Sequence, residues 1–250
     1  MRTVLITGAT SGIGKAIAYI LADKGYRLIL TGRRSERLET IKNELSKITE
    51  VVTLNFDVSD RKQTEKSITG LPPEWINIDV LINNAGNAHG LAPIQNGDME
   101  DWEAMIDINV KGLLYVSSLV IPGMVSRRSG HIVNIGSIAG KEVYPKGNVY
   151  CASKYAVDAL TKGMRLDLAP HNIKVSEINP GLVNTEFSAV RFKGDEKKSA
   201  EVYRGMDPLL AEGIAETVLF VLSRPEHVNI AEMLVLPRAQ ASATQVSREN

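Results

Sequence analysis

The sequence predicts an α/β fold, a parallel sheet covered by helices on both faces, from three observations. Short apolar runs alternate with longer segments of helical period along the whole chain. The runs are continuously apolar, as in strands buried on both sides, and do not alternate as strands with one wet face do. A glycine-rich turn, Thr7-Gly8-Ala9-Thr10-Ser11-Gly12-Ile13-Gly14, joins the first run to the first helical segment.

Taken in order, Val4-Leu5-Ile6 is the first strand. A helix over 13–24 sets Ile13, Ile17, Ile20 and Leu21 on one face, and Gly25 fits its stop. Residues 28–30 form the second strand and 34–47 the second helix, with Leu38, Ile41 and Leu45 inward. The third strand covers 51–56, and a charged helix follows over 61–68. The fourth strand, 79–82, ends in Asn83-Asn84-Ala85-Gly86. A long helix covers Met99–Arg127, with Pro122 as its expected interruption. The remaining strands are 131–135, 175–178 and 232–236, and the remaining helices 149–168 and 211–222. Residues 187–208 are the least regular, carry Arg191, Lys193, Lys197 and Lys198, and are expected to form a covering loop. The polar tail, 237–250, is expected to be disordered or to lie as an arm on a partner subunit. No repeat or linker divides the chain, so one domain over 1–250 is expected.

A chain of 250 residues buries a large core. Its 29 basic residues balance 29 acidic ones, which argues against a general nucleic-acid binder. The single cysteine, Cys151, excludes an intrachain disulfide, fits a reducing compartment, and is expected to be packed rather than nucleophilic. No secretory leader pattern is visible, and no apolar run approaches the ~20 residues of a membrane span. A cytoplasmic protein without a membrane partner is expected. His89, His131, His171 and His227 lack metal-ligand spacing, so no metal is expected and His131 is read as structural. No Gly-x-Ser-x-Gly hydrolase elbow occurs.

The glycine-rich turn contributes Gly8, Thr10, Ser11, Gly12, Ile13 and Gly14 to a candidate phosphate site. Its glycines permit close backbone approach to a pyrophosphate, and the helix start offers unpaired N–H groups. Many strand-to-helix turns contain glycine, so this turn alone leaves the ligand open. A carboxylate at the end of the second strand would bind the ribose hydroxyls of NAD; this chain has Arg33 and Arg34 there. Guanidiniums fit a 2′-phosphate, so NADP is the expected cofactor. The alternative is a solvated basic helix start, but two cations there oppose the helix dipole unless an anion joins them. Asp57, after the third strand, reads by position as a helix cap.

Tyr150 and Lys154 lie four apart near a helix start and share one face. A tyrosine with its ordinary pKa of about 10 is a poor base at neutral pH, and a nearby ammonium favours the phenolate. Such a tyrosine can exchange a proton with an alcohol or carbonyl while hydride moves to or from a nicotinamide. The same spacing is otherwise a common surface pair. Ser137 follows the fifth strand, at the carboxyl edge where open α/β sheets bind ligands. Asn109 is a mid-helix asparagine, which is intrinsically unfavourable and reads as a kink.

The glycine-rich turn, Asn83-Asn84-Ala85-Gly86, Ser137, Tyr150-Cys151-Ala152-Ser153-Lys154, and Pro180-Gly181 with Thr185, in that order, resemble the short-chain dehydrogenase/reductase family over most of the chain. The resemblance implies a single-domain Rossmann fold, a doubly wound seven-stranded parallel sheet of order 3-2-1-4-5-6-7. It implies a homotetramer built on the two long helices. It implies that Ser137 holds the substrate oxygen, that Asn109 holds a water in a relay with Lys154, and that Lys154 binds the nicotinamide ribose. Asp57 and Val58 then contact adenine, and Asn84, Ala85 and Gly86 join the cofactor site. Pro180, Gly181 and Val183 line the nicotinamide, and Thr185 meets its carboxamide.

Residues 32–38 and 180–187, Val190-Arg191-Phe192-Lys193-Gly194-Asp195 and His227-Val228-Asn229-Ile230 resemble one branch, the NADP-dependent 3-hydroxy acid dehydrogenases. That branch implies oxidation of serine, L-allo-threonine and related short 3-hydroxy acids, and reduction of small aldehydes and ketones. A close branch reduces sulfoacetaldehyde. The substrate carboxylate needs a cation near Tyr150. Arg191 with Lys193 is the expected pair and Lys141 a second candidate; the alternative is that these are solvent-facing charges. The tail departs from the glycine-rich ending of 3-ketoacyl-carrier-protein reductases. A reductase of larger neutral ketones or acyl thioesters remains an alternative. So does a non-catalytic NADP-binding regulator, against which the intact Asn109, Ser137, Tyr150 and Lys154 set argues.

Overall fold

The computed structural model describes residues 1–249. Seven strands, β1 (Thr3–Ile6), β2 (Arg27–Gly32), β3 (Val51–Asn55), β4 (Val80–Asn83), β5 (Gly130–Ile135), β6 (Ile173–Pro180) and β7 (Glu232–Val235), pair in parallel in the order β3-β2-β1-β4-β5-β6-β7. The helices are α1 (Gly12–Asp23), α2 (Ser35–Leu45), α3 (Arg61–Thr69), α4 (Met99–Ile106), α5 (Leu113–Arg127), α6 (Asn148–Leu168), α7 (Phe187–Arg191), α8 (Glu196–Glu201) and α9 (Ala211–Leu222).

The unbroken apolar strands serve two cores at once. Val4, Ile6, Leu28, Leu30, Val80 and Ile82 face α1, α2 and α9. The intervening Leu5, Ile29 and Leu81, with Ile132 and Val175, face α3, α5 and α6. This is the period-two geometry of a strand buried on both sides. Beneath the carboxyl edge, Asn83 Nδ2 donates to Asn134 Oδ1 (2.9 Å) and Ser117 Oγ (3.0 Å), and Asn134 Nδ2 donates to Thr161 Oγ1 (2.9 Å). These buried bonds tie β4, β5, α5 and α6 together and satisfy groups that would otherwise destabilise the core.

Several expectations require correction. Pro122 does not interrupt the long helix: it lies inside α5 on the exposed side, with Ser118 one turn back exposed as well. The break comes at Asp107–Gly112, a π-helical turn around Asn109. Residues 187–208, expected as the least regular stretch, contain the short helices α7 and α8. The tail folds back on its own chain. Gln240 is 6 % exposed, and its Oε1 accepts from Leu182 N at 2.9 Å. Arg248 donates to the main-chain carbonyls of Val202 and Arg204. Asn250 lies outside the described residues. Met99–Arg127 is also long and apolar enough by composition to cross a bilayer, contrary to the apolar-run reading. Its Val116, Val120 and Met124 pack in the core instead.

Candidate active site

The strand order reverses between β1 and β4, which opens a crevice at their carboxyl ends. Thr7 and Asn84 clamp its floor: Thr7 Oγ1 accepts from Asn84 N (3.0 Å) and Ala85 N (2.9 Å), and Asn84 Nδ2 donates to the Thr7 carbonyl (2.8 Å). Gly8 has φ +67°, and a Cβ there would stand 3.0 Å from Ala85 Cα. A Cβ on Gly14 would collide with the Gly8 carbonyl, so α1 can start this close to the loop only with glycine.

The resulting pocket has a volume of about 320 Å³. Gly8, Thr10, Ser11, Gly12 and Ile13 form one wall, with Arg33, Arg34, Asp57 and Val58 at one end. Asn84, Ala85 and Gly86 line the middle, and Ser137, Tyr150 and Lys154 the other end. Pro180, Gly181, Val183 and Thr185 close the opposite side. Thus the cofactor positions named from sequence share one cleft, except Gly14, which lies behind the loop. A bare glycine cradle at a helix start, with guanidiniums at one end, fits a phosphorylated dinucleotide.

At the basic end, Arg33 pairs with Asp57 (3.3 Å). Arg34 Nη1 pairs with Glu186 (2.7 Å), while its Nη2 donates to Thr10 Oγ1 (2.9 Å) and Ser11 Oγ (2.6 Å). Asp57 Oδ1 accepts from Ser59 N and Oγ. The cap of α3 is Asp60, whose carboxylate accepts from Gln63 N at 3.0 Å, so Asp57 is not the cap.

At the other end, Tyr150 is 9 % exposed. Burial raises its phenol pKa, opposed by the Arg191 charge and the neighbouring Ser137 hydroxyl. Arg191 Cζ lies 4.8 Å from the Tyr150 ring centroid and 5.0 Å from that of Phe187, and Nη2 donates to Tyr144 Oη at 2.9 Å. The charge that opposes the rise is thus that of Arg191, in place of the Lys154 ammonium expected from the four-residue spacing. Lys154 Nζ donates to the Ile135 carbonyl (3.0 Å), and burial pulls its pKa down to about 8 against the opposing charge of Glu177. Ser137 is fixed through its own N–H, which donates to Asn179 Oδ1 at 3.0 Å, and its Oγ accepts from Ala139 N.

Asn109 lies behind this end. Its Oδ1 accepts from Asn87 N (2.8 Å), and Nδ2 donates to the Asn87 carbonyl (2.8 Å) and Ser153 Oγ (3.0 Å). The asparagine thus locks the β4 loop to the π turn and α6, and the kink has a structural cause. A Cβ on Gly86 would stand 3.1 Å from Asn109 Oδ1 and 3.5 Å from Lys154 Nζ, so all three meet at one point.

Two substrate candidates lie elsewhere. Lys193 is exposed and pairs with Asp101 (3.0 Å) and Asp98 (3.6 Å). Lys141 is held by Asp158, Glu177 (3.4 Å) and Glu232 (3.0 Å), so its charge is already neutralised. Those three carboxylates lie within metal-chelating reach of one another, but they surround the Lys141 ammonium. Cys151 is buried in the apolar cluster with Ala88, Met105 and Ala139. Sequence reasoning missed Tyr144, Asn179 and Glu186. Asn179 carried a faint signal, a polar residue at the end of a buried strand beside Pro180.

The short chain dehydrogenase family model matches residues 2–196. The NADP-dependent 3-hydroxy acid dehydrogenase YdfG of Salmonella typhi is 47 % identical over 241 residues, 96 % of each chain. The NADP-dependent 3-hydroxy acid dehydrogenase of Schizosaccharomyces pombe is 44 % identical over 251 residues, 99 % of this chain and 97 % of that one. Among solved structures, the closed form of a serine dehydrogenase complexed with NADP⁺ superposes with a TM-score of 0.93 at 44 % identity, covering 100 % of both chains. The chain belongs to the short-chain dehydrogenase family and is an NADP-dependent oxidoreductase acting on CH–OH groups.

Proposed function

We propose that the enzyme interconverts short 3-hydroxy acids, of the serine, L-allo-threonine and 3-hydroxybutyrate kind, with their carbonyl products. The observation that carries this reading is Arg191. Its guanidinium lies against the Tyr150 ring, and its Nε is buried without a hydrogen-bond partner. A buried, unpaired donor beside the catalytic phenol suits a substrate carboxylate. Lys193 and Lys141 have no part in this reading, because acids of the protein already hold them. The names of the 3-hydroxy acid and serine dehydrogenase relatives agree with it.

Tyr150 takes the carbinol proton during oxidation and returns it during reduction. Ser137 Oγ holds the reacting oxygen, with its backbone steadied by Asn179. Bound NADP supplies the nicotinamide that exchanges hydride. Lys154 binds the nicotinamide ribose and passes protons between Tyr150 and solvent through a water placed by the Asn109 turn. Thr10, Ser11, Arg33 and Arg34 receive the 2′-phosphate, Asp57 and Val58 the adenine, and Pro180, Gly181, Val183 and Thr185 the nicotinamide. The 187–208 segment covers substrate. The enzyme works in the cytoplasm as a homotetramer. Exposed apolar residues Leu114 on α5 and Leu166 on α6 favour association through those helices, which light scattering tests.

The direct test of the substrate class is Arg191→Ala. It raises KM at least tenfold for 3-hydroxy acids and leaves KM for a neutral secondary alcohol within twofold, as loss of one charge-assisted hydrogen bond, about 1.5–3 kcal/mol, requires. An unchanged KM for the acids removes the carboxylate role and leaves a general carbonyl reductase.

A further inference from the structure

Glu186 pairs with two arginines at the start of α2, where the helix's own first-turn acid is Glu36. Its two oxygens lie 2.7 Å from Arg34 Nη1 and 2.6 Å from Arg37 Nη1. It comes from the opposite lip of the cleft, 152 residues away in sequence, between Thr185 and α7. Glu186 and Arg34 line the same pocket. The other partners of Arg34 are neutral hydroxyls, Thr10 Oγ1 and Ser11 Oγ, so among the described residues Glu186 is the one anion paired with it. Nε and both terminal nitrogens of Arg34 are thereby engaged.

We propose that Glu186 is a built-in competitor for the nucleotide 2′-phosphate, occupying Arg34 and Arg37 until the phosphate displaces it, and so sets how strongly the enzyme prefers NADP to NAD. The inference rests on the assignment of Arg34 to the 2′-phosphate. A dianionic phosphate and a carboxylate on one guanidinium repel each other, so the phosphate gains only the difference between two ion pairs. Meanwhile, Glu186 offsets the clash between Arg34 and the dipole of α2 in the free protein. The side chains of Arg34 and Glu186 are 41 % and 46 % exposed, so solvent screens the pair. The competition therefore changes affinity by a few-fold rather than by orders of magnitude.

The experiment measures dissociation constants by calorimetry for NADP⁺, NAD⁺ and adenosine 2′,5′-bisphosphate, on the wild type, E186Q, R34A and the double variant. Adenosine 2′,5′-bisphosphate carries the 2′-phosphate without the nicotinamide, which separates this end of the site from the chemistry. E186Q is expected to tighten NADP⁺ and the bisphosphate by about two- to tenfold. It is expected to leave NAD⁺ within about twofold, the size of a minor change in an exposed pair. In the R34A background the gain shrinks. E186A, which carries no side-chain amide, repeats the result and guards against a new hydrogen bond from the glutamine. Weaker or unchanged NADP⁺ binding in E186Q, with R34A impaired, overturns the competitor role alone. An equal gain for NAD⁺ and NADP⁺ also overturns it, since the effect is then a general one on the dinucleotide. An R34A variant that binds NADP⁺ as the wild type does removes the assignment of Arg34, and the competitor with it.

Discussion

Arg191 stacks on Tyr150, with its guanidinium carbon 4.8 Å from the ring centroid, and so joins α7 to the phenol proposed as the acid–base group. Burial holds the Tyr150 pKa above its ordinary value, and Arg191 pulls it back down. Oxidation needs the phenolate, so activity rises with pH as Tyr150 loses its proton, and removing the Arg191 charge moves this rising, acidic limb of the oxidation profile to higher pH. Profiles of kcat/KM for a neutral alcohol, with Arg191→Ala against wild type, check the shift apart from carboxylate binding. A profile that stays in place, or moves to lower pH, contradicts the electrostatic role.

Asn109 is 2 % exposed and holds three groups at once. Asn109→Ala leaves the Asn87 N–H and carbonyl buried and unpaired. Each stranded group costs about 1–3 kcal/mol, so urea unfolding is expected to show a loss of at least that size. Activity falls in parallel because the loop after β4 loses its anchor. Wild-type stability with lost activity assigns Asn109 to chemistry alone.

His131 is fully buried, and its Nε2 lies 2.8 Å from Ser176 Oγ. Burial pushes its pKa from 6.5 down to about 3. The unfolded chain then binds one proton more than the folded chain between those values. Stability from this residue is full above the unfolded pKa and is lost as pH falls, at about 1.4 kcal/mol per pH unit. Urea midpoints measured from pH 7 to pH 4 are expected to fall less steeply in His131→Asn. An equal slope assigns the acid sensitivity to other groups.

Lys141 neutralises Glu177, which is 1 % exposed and whose pKa burial raises to about 7. Lys141→Ala leaves that carboxyl beside Asp158 without its cation; it takes up a proton at neutral pH, and the lost pairing is expected to cost about 1–3 kcal/mol. Denaturant unfolding checks the loss, and adding Glu177→Gln is expected to recover part of it. A raised KM for 3-hydroxy acids without loss of stability would instead return Lys141 to the substrate site.

Much of the fold is legible in the sequence because buried parallel strands leave unbroken apolar runs. The runs around Leu5, Ile29, Leu81 and Ile132 all mark central strands. The ordered motifs likewise bring Ser137, Tyr150 and Lys154 to one end of the pocket. Local pattern fails where a long-range partner decides. Pro122 looks like the breaker of the long helix, but it faces solvent, whereas Asn109 widens the turn by bonding to Asn87 and Ser153. Arg191, Lys193 and Lys141 look alike as cations near the site; nothing local shows that acids hold two of them while the third meets Tyr150. The Arg34–Glu186 pair joins opposite lips of the cleft and leaves no local trace in either segment.

The most direct measurement is nicotinamide absorbance during incubation of the purified protein with NADP⁺ and, in turn, serine, L-allo-threonine, 3-hydroxybutyrate, 3-hydroxypropionate and a neutral secondary alcohol, with Tyr150→Phe as the control. NADP⁺-dependent turnover of the acids, reduced at least about a hundredfold in Tyr150→Phe as loss of a general acid–base group requires, is the expected result. Turnover of the acids that survives in Tyr150→Phe contradicts the mechanism, and turnover of the neutral alcohol alone contradicts the substrate class.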